Sequence, residues 1–276
     1  MSIAAIIVSH NSQDVLPHCL AALARQSQPP TVISIADSGS TDGGYLRELA
    51  AVYPIKLAFA GNIGFARANN LAVREVPANT EMVVFLNPDT ILPPDYLAKA
   101  LAILRARPEA AVVAGILEGY DFTSGNAGGN ATNANGRYDS TGVFRAWYGR
   151  WYDRDQGRLL TEVKRPATLV PALCGALLCC RWQALRPFWP DIFAPEFFLY
   201  KEDIELCLRL RLAGLKILFT PELHAYHGRG WQKRAAMPRA LRLAAAKSEI
   251  LLYRRHPSPY MLFALVKYAL VRWGGL

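Results

Sequence analysis

Short β-branched and apolar runs alternate with helical segments along the N-terminal part of the chain: IAAIIV, then 14–27, TVISIAD, then 43–53, IKLAFAG, then 63–76, EMVVFLN, then 93–107, and AAVVAG. This rhythm predicts βαβ units around a parallel sheet, because a crossover between parallel strands is long enough to hold a helix. Ligands in such sheets bind beyond the carboxyl ends of the strands. The residues to inspect are therefore the strand exits: Ser9-His10-Asn11, Asp37-Ser38-Gly39, Gly61-Asn62 and Asn87-Pro88-Asp89.

With 276 residues, 52% of them hydrophobic, the chain can bury one large core or two small ones sharing a seam. A single α/β enzyme domain is expected. The opening MSIAAIIVSHNS lacks a basic lead and turns polar by Ser9, so it reads as a buried first strand rather than a signal peptide or a membrane span. Five cysteines form no CxxC pair and three sit in apolar runs, which points to a reduced cytosol and inert thiols. Lys plus Arg outnumber Asp plus Glu by 31 to 22, which favours anionic partners without naming one.

Residues 119–136, GYDFTSGNAGGNATNANG, are too rich in Gly and Asn to pack a core and are expected to form a long surface loop. Three regions follow from this reading: a nucleotide-binding half at 1–118, a second half of the same domain at 119–232, and basic, amphipathic helices at 233–276. The second half contains the apolar run CGALLCC and an amphipathic helix from Glu202 to Leu212, ended by Gly214.

The turn after the first strand, SHNS, has no GxGxxG for a dinucleotide, and no GK[ST] occurs anywhere, so nicotinamide, kinase and ATPase chemistry are set aside. The second exit, ADSGSTDGG with Asp37 and Ser38, suits a base edge and ribose hydroxyls. A turn capping the next helix explains the same residues. At the third exit, Asn62, Gly64, Arg67 and Asn70 stand where a helix begins, a place that suits phosphate, although packing glycines would look alike. The fourth exit ends an apolar strand in Asn87-Pro88-Asp89, and Asp89 is the candidate ligand for a divalent cation that would neutralise a departing diphosphate.

Together VSHNS, DSGSTD, GNIGFARANN and FLNPDT resemble the inverting family 2 glycosyltransferases of the GT-A fold. The last stands where that family carries an Asp-x-Asp metal motif, but Asn87 occupies its first position, so only Asp89 offers a carboxylate. Tyr138-Asp139-Ser140-Thr141-Gly142 with Asp153-Arg154-Asp155-Gln156-Gly157, and Lys247-Ser248-Glu249-Ile250 with Tyr253-Arg254-Arg255-His256-Pro257, extend the resemblance to bacterial rhamnosyltransferase-like members. It covers most of residues 3–257, with motifs that are strong in combination and weak singly. It implies a nucleotide-sugar donor held by Ser9, His10, Asn11, Asp37, Ser38, Asn62, Gly64, Arg67, Asn70, Asn87, Asp89 and Arg229. It also implies Mg²⁺ or Mn²⁺ on Asp89 and His227.

The resemblance continues through Cys174-Gly175-Ala176, expected as a strand facing the acceptor, into Phe198–Glu205. There Asp203 aligns with the family's catalytic base and Glu202 stands beside it. Inversion is one in-line displacement, so a single carboxylate suffices to take the acceptor's proton. Acids opening a helix are also explained by its dipole. His227 is expected to complete the cation site and His224 to be scaffolding, while Arg229 could grip the diphosphate with both guanidinium nitrogens.

dTDP-L-rhamnose is the favoured donor and UDP-sugars the next. The acceptor is a saccharide or lipid-linked saccharide, and the setting is cytoplasmic cell-surface polysaccharide synthesis. The tail PYMLFALVKYALVRWGGL reads either as an interfacial helix on anionic lipid or as a closing helix packed on its own domain. Two other functions stand beside this one. A sugar nucleotidyltransferase would need a glycine-rich loop with Arg and Lys after the first strand, which SHNSQD lacks; a noncatalytic saccharide-binding scaffold would tolerate Asp203→Asn. Nucleic acid is not expected as a partner, since no recognition motif accompanies the basic residues.

Overall fold

The computed structural model describes residues 2–122, 133–228 and 238–274. Strands β1 (Ile3–Ser9), β2 (Val32–Ser38), β3 (Ile55–Ala60) and β4 (Met82–Leu86) lie parallel in the order β3-β2-β1-β4. Helices α1 (Leu16–Ala24), α2 (Gly44–Val52) and α3 (Phe65–Val73) make the crossovers. Every residue of β1 and β4 is buried, as expected of parallel strands covered on both faces. Alternate β1 residues feed opposite cores: Ala4, Ile6 and Val8 join one, and Ile3, Ala5 and Ile7 the other.

The strand AAVVAG extends further than its sequence run, as β6 (Ala110–Tyr120), after β5 (Thr90–Ile91) and α4 (Tyr96–Ala106). It does not neighbour β4. Between them lies β11 (Leu177–Arg181), antiparallel to both, with Leu178 beside Phe85 and Cys180 beside Val112. The strands expected from the sequence run parallel, and β11 comes between two of them because the run LLCC is apolar on both faces and fits a central place. Cys174-Gly175-Ala176, expected as strand, precedes β11.

On the far side of β6 lies β12 (Lys216–His227), which is parallel to it, while β7 (Ala134–Ser140) pairs antiparallel with residues 117–120 on the edge of β6 that β12 leaves free. The surface loop expected over 119–136 is thus shorter. Gly119 and Tyr120 belong to β6 and 134–136 to β7, with Gly136 N–H donating to Glu118 Oε1 at 2.9 Å; 123–132 lie outside the described residues. Because β6 runs through position 118, one sheet carries both halves of the chain.

A separate hairpin pairs β8 (Val143–Arg145) with β9 (Trp151–Asp153). After a short strand β10 (Thr168–Leu169) and a short helix α5 (Trp182–Leu185), helix α6 occupies Glu202–Leu212 and gives way at Gly214, as its periodicity predicts. Helices α7 (Arg239–Arg255) and α8 (Met261–Trp273) pack together at the end of the chain. All five cysteines are free and only Cys174 is partly exposed.

Candidate active site

A cleft of about 800 Å³ opens at the carboxyl ends of β1, β2 and β4. His10, Asn11, Ser38, Asn62, Gly64, Asn87 and Asp89 reach it from the strand exits, and Glu202, Asp203 and His227 from α6 and β12.

The first two exits are laced together. His10 Nδ1–H donates to the Ser38 carbonyl at 2.9 Å, Asn11 N–H donates to Ser40 Oγ at 2.8 Å, and Thr41 N–H donates to Asn11 Oδ1 at 2.8 Å. Asn11 takes a left-handed φ of 50°, which asparagine tolerates because its short side chain bonds locally. Ser9 and Asp37 do not line the cleft. Ser9 Oγ shares a hydrogen bond with Tyr45 at 2.7 Å, and Asp37 accepts from Ser40 N–H and Oγ–H, so both are buried supports of the exits.

The third exit departs most from expectation. Arg67 is exposed and its Nε–H donates to the Pro195 carbonyl at 2.9 Å. Asn70 is buried and bonds the Phe193 backbone twice, donating to its carbonyl at 2.7 Å and accepting from its N–H at 2.9 Å. Phe65 N–H donates to the Phe198 carbonyl at 2.7 Å. Arg67 and Asn70, read as phosphate contacts, therefore staple α3 to the segment 193–198 that leads into α6. The physical reason is the direction of the side chains: Arg67, in the first turn of α3, and Asn70, in the second, both reach across to the backbone of residues 193–195. Gly64 has φ +83°, and a Cβ there would run into the Phe198 carbonyl, so glycine is what lets the two segments meet.

Asp89 and His227 converge, with Oδ1 and Nε2 3.3 Å apart; the Asn87 side-chain amide is also 3.3 Å from that nitrogen. On its other side His227 donates from Nδ1–H to Asp139 Oδ2 at 2.8 Å, and Asp139 is fully buried. Burial opposes the charged imidazole, yet Asp89 and Asp139 outweigh it and push His227 up to about 9. Burial likewise raises the Asp89 carboxyl, and His227 reverses that and holds it below the ordinary carboxylate value.

A carboxylate oxygen and an imidazole nitrogen at this spacing suit Mg²⁺ or Mn²⁺, with Asp139 fixing the ring. Among the described residues no group of three His, Cys, Asp or Glu side chains could hold a metal ion, so water and diphosphate oxygens would fill the remaining positions. Arg229 lies outside the described residues. His224 pairs with Glu118 at 2.8 Å, a scaffolding contact.

Asp203 opens α6. Its Oδ2 accepts from Gly175 N–H and its Oδ1 from Ile204 N–H, both at 2.8 Å. Burial raises its carboxyl above the ordinary range, and the Gly175 N–H and the Lys201 charge oppose that rise. Glu202 is buried with Oε2 unpaired, and burial beside Asp203 raises it too. The turn before them is strained: Tyr200 and Lys201 are consecutive left-handed residues, with φ 69° and 71°. Asp139, Asp153, Tyr200 and Lys201 escaped the sequence reading as site residues. Asp139 sits in a polar YDSTG segment, and only the likeness of that segment to rhamnosyltransferase-type enzymes set it apart.

A sequence model of the "Glycosyltransferase like family 2" matches residues 2–246. The chain belongs to that family. Among curated proteins, this glycosyltransferase is similar to "Rhamnosyltransferase WbbL" of Escherichia coli (strain K12), with 26% identity over 86% of the chain and 87% of the relative. Among solved structures it resembles GalNAc-T7 with UDP, GalNAc and Mn²⁺, with TM-score 0.68 and 15% identity over 92% of the chain. It spans only 48% of that protein. The mannosyltransferase PcManGT of Pyrobaculum calidifontis, in complex with GDP-Man and Mn²⁺, gives TM-score 0.61 and 18% identity over 98% of the chain and 70% of its own. S. aureus TarS 1-349 gives TM-score 0.60 and 16% identity over 99% of the chain and 72% of its own. These neighbours are GT-A glycosyltransferases, and the α/β fold of this family 2 glycosyltransferase is GT-A.

Proposed function

We propose that this glycosyltransferase moves a sugar, with inversion, from a nucleotide-diphosphate donor to a hydroxyl of a saccharide or lipid-linked saccharide in cell-surface polysaccharide synthesis. The observation that carries the reading is that Asp89, at the exit of β4, and Asp203, at the start of α6, open onto the same cleft. dTDP-L-rhamnose is the favoured donor, supported by the likeness to a protein named as a rhamnosyltransferase; UDP-sugars are the second choice.

In this mechanism the acceptor oxygen attacks the anomeric carbon as the bond to the diphosphate breaks, and the acceptor's proton passes to the Asp203 carboxylate. The N–H groups of Gly175 and Ile204 aim that carboxylate. Its raised affinity for protons makes it a better base than an exposed aspartate. His10, Asn11, Ser38 and Asn62 line the donor side, where the nucleotide would lie. Asp89 and His227 would hold a divalent cation, which when bound neutralises charge on the departing diphosphate. Two structural neighbours, GalNAc-T7 and PcManGT, are in complex with Mn²⁺, which supports this reading.

The test is a donor panel of dTDP-L-rhamnose and UDP-sugars, with and without Mg²⁺ or Mn²⁺, read by melting shift and turnover. Asp203→Asn should keep the donor-induced shift and lose about 10²–10⁴-fold in turnover. Unchanged turnover would remove Asp203 as base and favour the noncatalytic scaffold. An equal response to all donors removes the preference for rhamnose.

A further inference from the structure

An exposed face outside the cleft joins two elements far apart in sequence. At the tip of the β8–β9 hairpin, Trp147 is 96% exposed and its ring lies 5.5 Å from Tyr148. The path continues from Tyr148 to Tyr260 at 5.9 Å and from Tyr260 to Phe263, stacked at 5.4 Å. From Phe263 it runs along α8 through Val266, Leu270 and Trp273, spaced three and four residues apart and all exposed. The opposite side of α8 is anchored, with Ala264 and Val271 buried. Tyr253 of α7 holds the hairpin tip by donating its hydroxyl to the Gly149 carbonyl at 3.2 Å.

The charges around this face have one sign. Exposed Arg145 and Arg150 flank the hairpin tip, and exposed Arg272 stands near the far end of α8. The sole acid in residues 238–274 is Glu249, which is buried and paired with Lys267. A second copy related by a two-fold axis would set these arginines against each other, which disfavours self-association through the face. Aromatic and aliphatic side chains rimmed by arginine instead match the headgroup region of an acidic bilayer. Thirteen residues make α8 roughly 20 Å long, short of a bilayer core of about 30 Å. No helix among the described residues is long and apolar enough to cross a membrane.

We propose that this face docks the chain on an anionic phospholipid surface, with α8 lying in the plane of the headgroups and Trp147 inserted beside it. The hairpin also ties that surface to the cleft. Its strand β9 contributes Trp151 and Tyr152 to the cleft wall, and Trp151 is four residues beyond Trp147, so the opening lies within about 13 Å of chain from the headgroups. Delivery of a lipid-borne acceptor rests on the transferase reading, whereas docking does not.

The experiment is flotation of the purified full chain with vesicles of phosphatidylcholine alone or mixed with phosphatidylglycerol. The chain should float with the mixed vesicles, less so at high salt, and stay behind with the neutral ones. Trp147→Ser and Trp273→Ser should each weaken binding about tenfold or more. Their melting temperatures should stay unchanged, since both side chains are exposed. Arg145→Glu with Arg150→Glu should abolish selectivity for the anionic vesicles. Flotation that persists in an Asp203→Asn chain supports docking independently of catalysis. No binding to mixed vesicles, equal binding to neutral ones, variants that float like the parent, or a dimer dissolved by Trp273→Ser without any vesicle binding would each overturn the proposal.

Discussion

Asp139, with no solvent exposure of its own, accepts a hydrogen bond from His227 Nδ1–H at 2.8 Å and so points Nε2 toward Asp89. A carboxylate behind a ligating imidazole fixes its tautomer and orientation, and losing one typically costs 10–100-fold in metal affinity. Asp139→Asn should therefore raise the Mn²⁺ concentration needed for half-maximal turnover by about that factor. Turnover at saturating Mn²⁺ should fall much less. Metal titration of the rate separates this from general damage, which would lower the plateau without moving the midpoint.

Gly64 is the hinge point between α3 and the segment leading to Asp203. In Gly64→Ala the residue keeps a left-handed φ of +83° and meets the Phe198 carbonyl as well. Gly157 is the natural control, with φ +80° and nothing within 4 Å of a Cβ. Gly157→Ala should cost about 1–2 kcal/mol from backbone strain alone. Gly64→Ala should cost clearly more, read as a larger drop in melting temperature, with a reduced turnover because Gly64 and Phe198 both line the cleft. Equal losses in the two variants would mean that neither the Phe198 contact nor the extended ψ of 167° at Gly64 adds to the cost of a positive φ.

The buried Glu202 binds its proton more tightly in the folded chain than in the unfolded one, because burial and the adjacent Asp203 disfavour its charge. Its contribution to stability is therefore fully present below the ordinary glutamate pKa and is lost as pH rises through the raised, folded value. Glu202→Gln removes that dependence. Melting temperature measured from mildly acidic pH up to about 8, the raised value of Glu202, should fall less steeply in the variant than in the parent. At alkaline pH the variant should be the more stable of the two.

The strand exits were legible because hydrophobic periodicity is local: β1 to β4 and the helices between them follow from runs that the chain itself displays. Sheet order was not. Nothing in LLCC says that it will slip between β4 and β6, since burial on both faces fits any central position. The segment GNIGFARANN was read for its residue types, which suit phosphate, but their orientation on α3 decides otherwise and sends Arg67 and Asn70 into the backbone of residues 193–195. Asp89 follows from its place at a strand exit, whereas His227 and Asp203 rest on likeness to a family. Their convergence on one cleft depends on β12 and α6, which lie more than a hundred residues from β4.

Lys201 combines strain with charge beside the proposed base. Its φ of 71° is unfavourable for a lysine, and its ammonium lowers the affinity of Asp203 for protons. Replacement by glycine relieves the first effect and removes the second. Lys201→Gly should therefore gain about 1 kcal/mol of backbone stability at this position. At the same time the acidic limb of the pH–rate profile should move to higher pH, because Asp203 without its positive neighbour must shed its proton at a higher pH to act as base. Lys201→Arg keeps the charge and the strain, so it should hold the limb in place and show no gain in melting temperature. If glycine left the limb where it was while turnover fell, Lys201 would be acting on the cleft through contact with substrate rather than through the charge it presents to Asp203.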